Sequence, residues 1–198
     1  MAEKVVGLSK DRRLPVWEGT YQEPANEPQT NRPTVILFGD TFNRSFETKN
    51  LYAARQVLEA MGYEVIEPKP DSRSVCCGRT FLAAGLVDQA KKEAARFIET
   101  VMPWIRQGIS VVGLEPSCLL TLRDEFQVLL PSDDATLLAE HAYLFEEFVE
   151  QALQEENMVL NLQPAKCADV LVHVHGHQNA ARAIGPVESL LQRIPGLK

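Results

Sequence analysis

Apolar and polar positions follow two different periods along the chain, and the switches between them mark out the elements. Thr34 to Gly39 (TVILFG) is an unbroken apolar run between Pro33 and Asp40, the pattern of a strand buried on both faces. From Thr48 to Met61 the apolar positions Leu51, Ala54, Val57, Leu58 and Met61 recur at helical spacing, and Gly62 stops the helix. Tyr63 to Ile66 reads as the next strand and completes a βαβ unit. A long helix is expected over about Gly85 to Gln107, with Leu86, Ala90, Ala94, Phe97, Val101 and Ile105 on one face and Pro103 in its last turn. Gly108 ends it, and Ile109 to Leu114 follows as a strand. Helices near Leu119–Leu129 and Ala135–Glu155, a strand over Ala168–Val174 (ADVLVHV) and a short helix over Pro186–Arg193 complete the reading. The second of those helices finds a cap in Ser132 or Asp133.

This order of elements predicts an α/β fold, a mainly parallel sheet flanked by helices. The segment 34–62 resembles the segment 169–196: strand, loop, helix and a closing glycine in each. The expectation is therefore two pseudo-repeated βαβ halves, the second incomplete, with a sheet edge that a homodimer would cover. Residues 1–33, with Pro15, Pro24, Pro28 and Pro33 among polar residues, read as an extended arm ahead of a domain spanning 34–198.

Composition narrows the functional classes. A net charge of −7 argues against a nucleic-acid partner. No stretch approaches the roughly 20 apolar residues of a membrane span, and the first residues lack the apolar run of a secretory signal. The cytoplasm is the expected compartment, where four cysteines serve as thiols or ligands rather than disulfides.

The chemistry concentrates on sulfur and imidazole. Cys76-Cys77-Gly78 places two thiols on a turn that Gly78 makes possible, and Cys118 ends Glu115-Pro116-Ser117-Cys118 just after a strand. Three thiols on loops at strand ends suggest a soft-metal site, with iron–sulfur ligation the first candidate. Cys167, at the start of a strand, reads as a small buried filler. His173, His175 and His177 alternate; His175 and His177 on the loop are possible metal ligands, and zinc shared with the cysteines is chemically sensible. The bland alternative is a core-facing His173 with the other two in loop hydrogen bonds. Arg123-Asp124-Glu125 reads as a solvated helix face, and Asp40-Thr41-Phe42-Asn43 either as part of a site at a strand end or as a simple turn. There is no glycine-rich dinucleotide fingerprint and no phosphate-binding loop.

In combination and order, Asp40-Thr41-Phe42-Asn43, Cys76-Cys77-Gly78-Arg79, Gly113 to Cys118 with Arg123-Asp124-Glu125, and Val172 to Ala180 (VHVHGHQNA) resemble the cysteine-rich CCG domain of iron–sulfur oxidoreductases. The resemblance runs from about Pro15 to Lys198. Its closest type is the C-terminal part of FAD-linked D-lactate dehydrogenase or the iron–sulfur subunit of glycolate oxidase. It implies two cysteine-rich halves around a [4Fe–4S]-type cluster, with Cys76, Cys77 and Cys118 at ligand positions and FAD only on a partner domain or subunit. Two departures stand out. Gly176 occupies a position where relatives usually carry cysteine, and a second Cys-Cys-Gly loop would lie beyond Lys198.

The expected function is thus electron transfer within a flavin-linked 2-hydroxy-acid dehydrogenase of lactate or glycolate type. The chain would be a component of an oxidoreductase rather than a catalyst alone. The alternatives are a metal-free degenerate CCG domain that docks on a flavoprotein, and a Cys/His zinc site.

Overall fold

The computed structural model describes residues 7, 9, 19–24, 32–68, 73–155, 160–167 and 169–197. The apolar run after Pro33 forms β1 (Thr34–Phe38). Asp40 caps the short helix α1 (Thr41–Ser45), accepting from the Phe42 and Asn43 N–H groups, and α2 (Thr48–Ala60) follows. β2 (Glu64–Ile66) pairs parallel to β1. After the Cys-Cys-Gly turn come α3 (Arg79–Ala83), α4 (Val87–Ile105) and β3 (Val111–Gly113), which lies parallel to β1 on its other side. Next are α5 (Pro116–Arg123), α6 (Glu125–Leu129), α7 (Asp133–Glu140), β4 (Ala142–Leu144) and α8 (Phe145–Glu155). The chain closes with α9 (Gly176–Ala180) and α10 (Gly185–Gln192).

The sheet is four-stranded and all parallel, in the order β2-β1-β3-β4. Both faces are covered, which is why β1 is apolar from Val35 to Phe38. Ile36 and Phe38 face one layer with Phe97, Val101 and Ile105 of α4, Leu119 and Leu122 of α5, and Phe126 of α6. Val35 and Leu37 face the other, with Leu51 and Leu58 of α2 and Val149 and Leu153 of α8. Phe97 stacks edge-on against both Phe38, at 4.9 Å, and Phe126, at 5.9 Å. The α/β reading with a parallel sheet flanked by helices is borne out.

Three local expectations are corrected. The helix expected over 135–155 is two helices separated by β4, because Ala142-Tyr143-Leu144 completes the ladder beside β3. Tertiary pairing overrides a local helical preference there. Residues 169–174 form no strand, although the ADVLVHV composition favours one; residue 168 lies outside the described set. Leu171 is 96 % exposed, and no neighbouring strand pairs with this run among the described residues. The helix expected from Leu119 starts earlier, at Pro116, and breaks at Asp124.

Most of the expected N-terminal arm lies outside the described residues. Of the part described, Tyr21 is 3 % exposed and sits in a buried polar network. Its hydroxyl donates to Glu67 Oε1 at 2.6 Å and accepts from Arg55 Nε at 3.1 Å. Arg55 and Arg44 also pair with Glu67, at 2.7 and 2.9 Å. The carboxylate is thus balanced by two guanidinium groups, the condition under which a buried charge is tolerated. Burial and the Glu67 carboxylate push the Tyr21 hydroxyl far above its usual range.

Candidate functional site

A sheet with order 2-1-3-4 changes direction between β1 and β3, and the crevice at the C-terminal ends of those two strands is where open α/β folds place their sites. Asp40 follows β1 there, and Glu115 to Cys118 follow β3. The Cys76-Cys77-Gly78 turn and the His175–His177 loop reach the same edge.

Gly78 shapes the thiol loop. Its φ of 74° is left-handed, and a Cβ built on it would stand 3.2 Å from the Ala90 carbonyl oxygen and 3.2 Å from Glu93 Cβ. The loop therefore lies hard against α4 only because the side chain is a hydrogen. Val75 and Cys77 turn inward, while Cys76 is half-buried and accepts the Gly78 N–H at 3.4 Å. Cys118 occupies the first turn of α5 at 6 % exposure. Cys77 and Cys118 belong to one buried cluster, and Cys76 adjoins Cys77 in the chain. Hydrogen bonding toward Cys118 leads in raising the Cys77 pKa to about 12, with burial acting the same way and hydrogen bonding with Cys76 opposing. The Cys76 thiol is raised too, first by its bond with Cys77 and then by burial. Cys77 and Cys118 are thus brought into one buried cluster beside half-buried Cys76, and Cys76 and Cys77 hold their protons at neutral pH.

Carboxylates and imidazoles line the rest of the edge. Glu115 caps α5, accepting from the Ser117 N–H at 3.2 Å and the Ser117 hydroxyl at 2.6 Å. Burial raises the Asp40 pKa against its own hydrogen bonds, and the nearby Glu115 charge adds to the rise. His175 Nε2 stands 3.7 Å from Glu115 Oε1, and its Nδ1 accepts the His177 N–H at 3.2 Å. The two imidazoles stack with centroids 5.1 Å apart. Arg79, next to Gly78, pairs with Glu125 and places Nη2 2.8 Å from His177 Nε2. Since a guanidinium only donates, His177 Nε2 accepts and Nδ1 carries the proton. That Nδ1 is buried without a hydrogen-bond partner among the described residues. Burial and the Arg79 charge lower the His177 pKa.

Several readings of single residues change. Cys167 is exposed, not a buried filler, and stands apart from the other three thiols in character. His173 is exposed rather than core-facing. Arg123 and Glu125 are not a solvated face: Arg123 pairs with Glu147 and Glu125 with Arg79. Asp40 begins a helix instead of a simple turn. Arg79 and Glu115 had no individual role on sequence grounds. A glutamate before Pro at a helix start was the available signal for Glu115; the Arg79–His177 contact spans 98 positions and left none.

The donor set suits iron–sulfur chemistry in kind, with three soft sulfurs among anionic oxygens. It falls one thiolate short of the four that a cubane takes. Among the described residues, no three His, Cys, Asp or Glu side chains are gathered as ligands of a single metal ion. Beside the site, a cavity of about 330 Å³ is lined by Leu114, Val174, Leu190 and Leu191 with Glu146 and Gln178.

Comparison with known proteins gives a clear likeness. The chain is 31% identical over 144 residues to a subunit of anaerobic glycerol-3-phosphate dehydrogenase from Escherichia coli (strain K12), a match covering 72% of this chain and 35% of that protein. The same subunit from Escherichia coli O157:H7 matches with equal identity and coverage. The chain thus spans about a third of the length of the curated relatives it matches. No family model matches the chain, and no solved structure does. No helix among the described residues is long and apolar enough to cross a membrane.

Proposed function

We propose that this chain is an electron-transfer module of a flavin-linked dehydrogenase, built as a CCG-type domain in the cytoplasm. Cys76, Cys77 and Cys118 would supply three ligands of an iron–sulfur cluster of the [4Fe–4S] kind. The fourth ligand would come from outside this cysteine set. FAD would reside on a partner flavoprotein. The observation that supports the reading is that Cys77 and Cys118 share one buried cluster, with Cys76 next to Cys77, where the loops after β1 and β3 gather. Likeness to a dehydrogenase subunit supports the general kind.

A bound cluster would supply one-electron redox chemistry. The chain's own residues would bury the sulfurs and orient them: Gly78 lets the loop approach α4, and the Gly78 N–H donates to Cys76 Sγ, a contact that favours the thiolate. The substrate of the parent enzyme would be a small hydroxy compound, either a 2-hydroxy acid of lactate or glycolate type or the glycerol 3-phosphate named for the relatives.

The test is anaerobic co-expression with a flavoprotein dehydrogenase, followed by iron, sulfide and zinc analysis and a visible spectrum. Brown protein whose iron is lost in Cys118→Ser supports the reading. Folded, colourless protein without iron that still co-purifies with flavoprotein favours a metal-free docking module. Stoichiometric zinc points instead to a Cys/His site with His175 or His177.

A further inference from the structure

Ile184, Val187 and Leu191 fall on one side of α10, yet no residue of that helix is buried. The other side is tied down. Ser189 donates to Glu150 Oε1 at 2.7 Å, and Arg193 Nη2 donates to the same oxygen at 3.1 Å. The apolar side is thus held over a cavity of about 330 Å³ instead of being packed shut. Leu114 and Pro116, which join β3 to α5, line the cavity too, as do Val172 and Val174 from the run that has no strand to pair with. The volume falls at the lower end of the roughly 300–1,000 Å³ of small-molecule sites.

One part of the lining is polar. Gln178 is 7 % exposed, and its Nε2 donates to Glu146 Oε1. The carboxyl oxygen fixes the amide's direction, because only the amide nitrogen can donate. Among the described residues Gln178 Oε1 receives no hydrogen bond, and it is not sealed off, so it opens into the cavity the residue lines. A desolvated acceptor of this kind gains from a donor brought by a ligand. Charge narrows the class further. No lysine or arginine lines the cavity among the described residues, and Glu146 would repel an anion. A cation would leave water for mostly apolar walls, beside a carboxyl whose pKa burial raises.

We propose that this cavity binds a small neutral compound with an apolar body and a hydroxyl group, the body lying along α10 and the hydroxyl donating to Gln178 Oε1. This goes beyond the electron-transfer reading, because it needs no metal and changes no covalent bond.

The probe is para-cresol, compared with toluene, para-toluate and para-methylbenzylammonium. Each is titrated into the full chain, with any co-purifying flavoprotein, and followed by the methyl NMR signals of labelled Ile, Leu and Val. Para-cresol should shift Ile184, Val187 and Leu191 saturably, with a dissociation constant of about 1 mM or below. Toluene, which lacks the donor, should bind about five- to tenfold more weakly. The two ions should give no saturable shift. Gln178→Met should remove the preference for para-cresol over toluene. Val187→Trp should fill the cavity and abolish both; Ile184→Phe replaces it if the tryptophan variant lacks the far-ultraviolet dichroism of a folded chain. Absence of saturable shifts with para-cresol overturns the proposal, as does equal binding of toluene or tighter binding of either ion. Shifts confined to Ile98 and Leu129, beside the larger groove between α4 and the α6–α7 connection, overturn it as well. Iron content of the same sample bears on the cluster reading alone.

Discussion

Replacing Gly78 with alanine separates two costs that are usually confounded, because Gly62 provides the control. Both residues have left-handed backbones, with φ of 74° and 92°. An alanine in that region costs roughly 1–2 kcal/mol, partly offset by a stiffer unfolded chain worth about 0.4–1 kcal/mol. At Gly62 nothing lies within 4 Å of a new Cβ, so the net loss should be about 1 kcal/mol from backbone strain alone. At Gly78 the same methyl meets the Ala90 oxygen and Glu93 Cβ, both at 3.2 Å, and Ala90 Cα at 3.4 Å. Those atoms belong to α4, which is anchored by Phe97, Val101 and Ile105, so relief requires the loop to lift. Overpacking of this kind adds about 1–3 kcal/mol, and the total loss at Gly78 should reach about 2–4 kcal/mol. Equilibrium urea unfolding of both variants measures the difference as a shift in midpoint at constant slope. Alkylation of Cys76 and Cys77 should quicken in Gly78→Ala and not in Gly62→Ala. Equal losses in the two variants, or unchanged thiol reactivity, would refute the claim that close contact with α4 holds the thiol loop.

Further outcomes follow from the buried groups and from the cysteines' exposure. Among the described residues, Glu67→Leu leaves Arg44 without a carboxylate partner and Arg55 with only the carboxylates of Glu23 and Glu59, and should cost about 3–5 kcal/mol in urea unfolding; Tyr21→Phe should cost about 1–3 kcal/mol, since it removes one donor to Glu67 and one acceptor for Arg55. Raised thiol pKa values mean that the folded chain keeps protons which the unfolded chain releases, so stability should fall as pH rises from about 8.5 toward 12, by up to about 1.4 kcal/mol per unit for each such thiol. Tyr21 contributes only from about pH 10, so Cys77→Ala should flatten the slope between pH 8.5 and 10, and an unaltered slope there would contradict the thiol assignment. A small maleimide at neutral pH should modify exposed Cys167 first and buried Cys77 and Cys118 last, as read by peptide mass spectrometry.

The elements that bury a long apolar pattern were legible in the chain. β1 announced itself by four consecutive apolar residues after Thr34, and α4 by the recurrence of Ala90, Ala94, Phe97, Val101 and Ile105, all of which are buried. β4 was not legible: three residues flanked by good helix formers carry too little pattern, and only the register with Val111, Val112 and Gly113 makes them a strand. The opposite error occurred at 169–174, where strand-like residues lack a strand to pair with, and propensity without a ladder does not make a sheet. In the site, the convergence of Cys118 with Cys76 and Cys77 followed from loops at strand ends, a consequence of parallel topology. The tautomer of His177 was out of reach, because it is set by Arg79 across the fold.

The charge arrangement at this edge also limits what the chain can bind. Helix N-termini at the C-terminal ends of parallel strands commonly receive anions, because unpaired N–H groups and the helix dipole face outward. Here those positions are filled from within. Asp40 takes the Phe42 and Asn43 N–H groups of α1, Glu115 takes the Ser117 N–H of α5, and His175 takes the His177 N–H of α9. Two of the three caps are carboxylates, and Glu115 raises the Asp40 pKa by its charge, so a further anion at this edge would meet like charge rather than open donors. Soft cationic centres and thiol-reactive groups suit the edge; phosphate and hydroxy-acid carboxylates do not. On the function proposed above, substrate oxidation would belong to a flavoprotein partner, and this chain would handle electrons only. Isothermal titration of the chain alone with lactate, glycolate and glycerol 3-phosphate should give no saturable heat up to millimolar concentrations, while the complex with a flavoprotein should turn over one of them. Saturable binding of any of the three to the isolated chain, lost in a charge-reversing Arg79→Glu variant, would show that this edge receives substrate and would overturn the division of labour.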